Sequence, residues 1–292
     1  MPISKKKYFL EKEISGKRRK RVKHSFLVGK VIFKGETNLQ NVFIFENPLY
    51  GKIFCLDNIV EFSQIDEFIY HEMIVHPVLF SHPNPKDILI IGGGDGGALK
   101  EALKHPVKKV DLVEIDKEII KISKKYLKFS HQNSFSDQRV NIHSLPGEDF
   151  VRTRKNFYDV IIVDPSNPEP DTFSPPLFSV PFYRDVFSAL KKDGIMVTLG
   201  APFLDFENII RKIFKKLKKI FPHAVIYRFC MPSYNCGEYS FLAASKKANL
   251  RNIDFKGIKK RFNKLAKKNK FAYYSPEIHK SSMVLPKIWQ TK

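Results

Sequence analysis

Cysteine is scarce in this chain. Cys55, Cys230 and Cys236 stand among 292 residues, an odd number with no C-x-x-C pair, which argues against a disulfide framework or a zinc site and fits a reducing cytoplasm. Cys230 and Cys236 have no base nearby in sequence and read as packing residues. Long apolar runs are missing too: the strongest, Ile88 to Ile91, stops at glycines, far short of the roughly 20 residues a bilayer span requires. No apolar stretch follows the early lysines, so a secretory signal is not expected. Acidic residues are in deficit, 30 against 51 Lys and Arg, for a net charge of +21.

That charge is uneven. Lys5 to Lys30 holds 11 basic and 2 acidic residues, and Lys246 to Lys270 holds 11 and 1, which leaves the middle of the chain near neutral. Both runs read as solvated faces. Contact with nucleic acid is the minor alternative, because Arg18, Arg19 and Lys20 lack interleaved aromatics for base stacking. A hydrophobic content of 43% is enough for a core built without metals or disulfides.

After a basic segment, 1–24, residues 25–65 alternate short apolar stretches with Gly, Pro, Asn and Asp and predict a small antiparallel β-domain. Phe68, Ile69, Met73, Val75 and Leu79 recur at helical spacing and predict a connecting helix over 66–80. Beyond it, apolar strands at 88–91, 110–114, 140–143, 160–164 and 195–199 alternate with helices at 97–104, 117–127 and 181–191. A helix over 208–220 and a hairpin of 224–229 with 239–244 follow. The alternation predicts a Rossmann-like, doubly wound α/β domain over 66–292, its sheet mostly parallel and covered on both faces.

The chemistry concentrates in the first strand–helix turn, Gly92-Gly93-Gly94-Asp95-Gly96-Gly97. Glycines let a ligand approach the backbone, and the helix start offers free N–H groups. Eighteen residues after Gly96, Glu114 closes the next strand, where a carboxylate can accept both ribose hydroxyls of an adenosine. Asp95 would repel a ligand with a negative tail and hold one that ends in an ammonium. Decarboxylated S-adenosylmethionine has such a tail.

Together, 66–73 (DEFIYHEM), 82–85 (HPNP), 90–97 (IIGGGDGG), 113–116 (VEID) and 273–280 (YYSPEIHK) closely resemble the spermidine synthase, or polyamine aminopropyltransferase, family. The resemblance runs from about Gln40 to Pro286. It implies a class I S-adenosylmethionine-dependent transferase fold, and transfer of aminopropyl from decarboxylated S-adenosylmethionine to putrescine, giving spermidine and 5′-methylthioadenosine. The nucleotide is a co-substrate, with no other cofactor and no metal, and a homodimer or homotetramer is implied. By the same resemblance Gln40, Gly92, Gly94, Glu114 and Gly147 bind the nucleoside, and Asp95 and His71 contact the aminopropyl or amine chain. Asp164 is the proton acceptor, with Tyr70 and Tyr234 around the attacking amine.

Two positions depart from the family pattern. Asn167 stands where a second aspartate follows the base, so one cation-holding charge is missing from the amine site. Pro146 stands where an aspartate reads the adenine amino group; Glu148 and Asp149 are its nearest replacements. The stretch 165–176 is read as lining the amine pocket. An S-adenosylmethionine-dependent methyltransferase and a binding-only homologue are the competing readings.

Overall fold

The computed structural model describes residues 7–12, 24–166, 174–203, 206–234 and 237–290. Asn167, Arg18, Arg19, Lys20, Cys236 and most of the stretch read as lining the amine pocket lie outside them.

The chain opens with strands β1 (Lys7–Leu10) and β2 (Ser25–Val28), which pair antiparallel. β1 falls within the stretch read as a basic segment, and of its residues Phe9 is buried. A four-stranded antiparallel meander follows: β3 (Val31–Glu36), β4 (Asn41–Asn47), β5 (Gly51–Leu56) and β6 (Ile59–Ser63). Asp57 and Asn58 link β5 to β6 with φ of 47° and 65°, the doubly left-handed geometry of a tight hairpin turn. On β6 the ladder breaks: Phe54 pairs with Phe62 and Cys55 with Val60, so Glu61 is the extra residue of a β-bulge.

Helix α1 (Glu67–Ser81) joins the two regions. Its apolar spacing is as predicted, but the helix is not amphipathic, because its polar side chains are buried as well: Glu67, His71, Glu72 and His76 are each at most 5% exposed. Each is held. Glu67 takes the Lys100 ammonium at 2.8 Å and His76 faces Glu101 at 3.0 Å. Glu72 accepts the backbone N–H groups of Ala272, Tyr273 and Tyr274 at 2.7–2.9 Å, which gives the near-terminal YYSPEIHK motif a structural role.

The larger region alternates β7 (Asp87–Gly92), α2 (Gly97–Leu103), β8 (Lys109–Val113), α3 (Lys117–Tyr126), α4 (Lys128–His131), β9 (Val140–His143), α5 (Gly147–Arg152), β10 (Tyr158–Asp164), α6 (Val180–Ala189) and β11 (Leu190–Pro202). α7 (Glu207–Lys218), β12 (His223–Cys230), β13 (Glu238–Ser245), α8 (Phe255–Ala266), α9 (Pro276–Ser282) and α10 (Lys287–Gln290) complete it. The sheet order is β12-β13-β11-β10-β7-β8-β9, parallel from β11 to β9 and antiparallel at β13 and β12. Every residue of β10 is buried, as a central strand covered on both faces requires.

Order reverses between β7 and β10, and a doubly wound sheet binds its ligand at the carboxyl ends of such neighbours. There Asp164 lies opposite Gly92 in the ladder. Gly92 has φ of 83°, and a Cβ on it would strike the Asp164 carbonyl. Cys230, read as a packing residue, is exposed: it ends β12 on the outward face.

Candidate active site

A cleft opens at this reversal point, between the sheet's carboxyl edge and the β5–β6 hairpin. Gln40, Glu61, Tyr70, His71, Gly92, Gly94, Asp95, Glu114, Gly147, Asp164 and Tyr234 all line it. Of the residues named from sequence, those within the described chain therefore meet in one place. Glu61 was not among them.

On one side Asp95 follows β7 and faces His71 of α1 at 3.2 Å. The His71 ring also meets Glu67 at 2.5 Å, and Glu67 holds Lys100. Lys100, Glu67, His71 and Asp95 thus form a row of alternating charge. Burial pulls the His71 pKa down, but the Asp95 charge and the hydrogen bonds of both carboxylates overcome it and raise the imidazole to about 10. Burial pushes Asp95 up; the charge and hydrogen bond of His71, the Gly97 N–H and the Ser130 hydroxyl outweigh that and bring it to about 2. Gly97 makes the row possible, since a Cβ there would overlap the imidazole.

At the centre Asp164 ends β10 and accepts the Tyr70 hydroxyl at 2.6 Å. Burial and the negative charge of Asp95 raise Asp164 to about 6, against the pull of Tyr70 and His71. It is therefore mostly ionised at neutral pH and close to the range where a carboxylate accepts a proton well. Tyr234 packs edge-on to Tyr70 at 6.5 Å between ring centroids, but its hydroxyl donates to the Glu61 carbonyl at 2.7 Å.

On the other side Glu114 follows β8. It accepts the Gly94 N–H at 3.1 Å and the Asp116 N–H at 2.9 Å, and burial raises it to about 7. Gln40 donates to Asp116 at 3.1 Å, which ties the small β-region to this edge of the cleft. Pro146 caps α5, Glu148 turns into the cleft, and Asp149 faces Arg152 outside it. Of the two acids nearest Pro146, Glu148 is therefore the one placed to meet a ligand.

Among the described residues, His82, Asp159 and Asp193 form a group with the residue types of a metal site. It lies at the opposite end of β10, where Lys191 neutralises Asp159 at 3.0 Å and the Asn84 N–H occupies His82 Nδ1.

Residues 67–256 match the spermine/spermidine synthase domain, and residues 12–76 match the spermidine synthase tetramerisation domain. A polyamine aminopropyltransferase of Caldicellulosiruptor saccharolyticus is 40% identical over 261 residues, covering 89% of this chain and 90% of that one. One from Hydrogenobaculum is 37% identical over 285 residues, 97% of this chain and 95% of its own length. Among solved structures, a spermidine synthase in complex with the transition-state analogue AdoDATO superposes with a TM-score of 0.90 at 34% identity, covering 98% of this chain and 94% of that one. The spermidine synthase of Thermotoga maritima gives 0.88, with the same identity and coverage.

Proposed function

The chain belongs to the spermidine synthase family of polyamine aminopropyltransferases, and from that premise we propose that it transfers aminopropyl from decarboxylated S-adenosylmethionine to putrescine. The observation that carries this reading is the Tyr70–Asp164 pair set beside the Asp95–His71 pair in one cleft. A free alkylamine has a pKa of about 10.4 and must shed a proton before it can act as a nucleophile. Asp164 takes that proton. The nitrogen lone pair attacks the carbon beside the sulfonium, the C–S bond breaks towards sulfur, and 5′-methylthioadenosine leaves as a neutral thioether. Asp95 holds the donor's ammonium, while Glu114, Gln40 and the backbone at Gly92, Gly94 and Gly147 hold its nucleoside. Tyr70 fixes the base, and positioning supplies much of the rate. The nucleotide is consumed as a co-substrate, and the balance needs no further cofactor.

The match over residues 12–76 supports assembly as a homotetramer. Among the described residues no helix is long and apolar enough to cross a membrane, and we place the enzyme in the cytoplasm.

The test is incubation of purified protein with decarboxylated S-adenosylmethionine and an equimolar mixture of putrescine, cadaverine, agmatine and spermidine, followed by mass spectrometry. Spermidine formed from isotope-labelled putrescine, and so distinguishable from the spermidine supplied, is expected in the same amount as methylthioadenosine. No aminopropylated product would overturn the assignment, and a different single product would change the acceptor.

A further inference from the structure

Three acidic side chains that line the cleft, Asp57, Glu61 and Glu148, have no part in the proposed reaction, and Glu61 is set apart from the other two by its strand. Glu61 sits in β6, whose sequence Ile59-Val60-Glu61-Phe62-Ser63 would, in a regular strand, put Glu61 and Phe62 on opposite faces. The bulge removes that alternation. Ile59, Glu61 and Phe62 all line the cleft, whereas Val60 turns into the separate core of the N-terminal strands. Bulges next to active sites re-aim side chains in this way. The Glu61 carbonyl is fixed in turn by the Tyr234 hydroxyl at 2.7 Å.

Its carboxylate is held differently from its neighbours. Asp95 has His71, Gly97 and Ser130; Asp164 has Tyr70; Glu114 has two backbone N–H groups. Among the described residues no hydrogen-bond donor reaches the Glu61 carboxylate. Burial, then the charges of Asp164, Asp95, Glu11 and Asp57, push it up to about 8. A carboxylate turned into a cleft among other negative charges fits a cationic ligand group. The Glu61 backbone is held by Tyr234, whose ring packs on Tyr70, the partner of Asp164, and this sets Glu61 on the acceptor's side of the cleft.

We infer that Glu61 is a specificity-determining residue for the acceptor: it binds the second, non-reacting ammonium of an α,ω-diamine while Asp164 addresses the nitrogen that attacks. The inference rests on the aminopropyltransferase reading. It gives the amine site a carboxylate in addition to Asp164, at a position remote in sequence from Asn167.

The experiment compares wild type with Glu61→Gln, using putrescine and n-butylamine as acceptors and following methylthioadenosine release. Loss of a charge-assisted contact predicts a fall in kcat/KM for putrescine of about ten- to a hundredfold, mainly through KM. The fall with n-butylamine should be at least tenfold smaller, because that amine has no second charge to lose. Glu61→Asp keeps the charge and should recover part of the putrescine loss. An equal fall with both acceptors, an unchanged KM for putrescine, or a loss confined to the KM for decarboxylated S-adenosylmethionine would overturn the inference. A wild type that is inactive with every amine would instead remove the functional reading beneath it.

Discussion

Replacing Asp164 with Asn keeps the shape of the side chain and an oxygen for the Tyr70 hydroxyl, but removes the group that takes the proton. The variant must then wait for amine that is already neutral. With a pKa of about 10.4, roughly one amine in 2,500 is neutral at pH 7, so kcat/KM should fall by about that factor, or about 4.6 kcal/mol. Because the penalty comes from the amine's own protonation, it has a distinctive dependence on pH. The ratio of wild type to variant should shrink about tenfold for each unit of pH, to some 25-fold at pH 9. Methylthioadenosine release at saturating decarboxylated S-adenosylmethionine, measured from pH 7 to 9, reads this directly. A variant that keeps a tenth of the activity at pH 7, or a deficit that stays constant with pH, would refute the assignment of Asp164 as the base.

In the wild type, kcat/KM for putrescine should rise as pH climbs through about 6, where Asp164 ionises, and again through about 8, where Glu61 does. With decarboxylated S-adenosylmethionine saturating, so that Glu114, raised to about 7, does not govern the rate, and with Asp95 held near 2 and His71 near 10, a pH–rate series that is flat from 5 to 9 contradicts the arrangement. Gly97→Ala drives a methyl group into the His71 ring and should cost about 1–3 kcal/mol in urea unfolding, with weaker binding of the nucleotide donor. Glu72→Gln puts an amide in place of a carboxylate that takes three backbone N–H groups, and should lower unfolding stability by about 3 kcal/mol with little effect on kcat.

The central sheet was legible because β7, β8 and β10 are short apolar runs, rich in Ile and Val, that stop at Gly92, Glu114 and Asp164; runs of that length and composition fit a buried strand far better than a helix. β1 was not, since four residues with only Phe9 buried give no period to detect amid lysines. α4 and α5 were also missed, being only 4 and 6 residues long, too short for helical spacing to show. In the site, the residues that carry the family resemblance were found and Glu61 was not. A lone acid within an otherwise apolar strand reads as the solvent-facing member of an alternating pattern. The bulge that turns it inward depends on how β5 and β6 register, which the residues of β6 alone do not specify.

Glu72 has a consequence for how the protein is made. Its carboxylate lies 1% exposed inside α1, and its three donors come from residues 272–274, some 200 positions later. During synthesis α1 leaves the ribosome long before those donors exist. A nascent chain that has completed β7 through β11 can assemble most of its sheet, but it must keep Glu72 in water until residues 272–274 are in place. Final closure of the core around α1 is therefore a late event, and chains terminated before Ala272 would carry a buried acid with nothing to receive it.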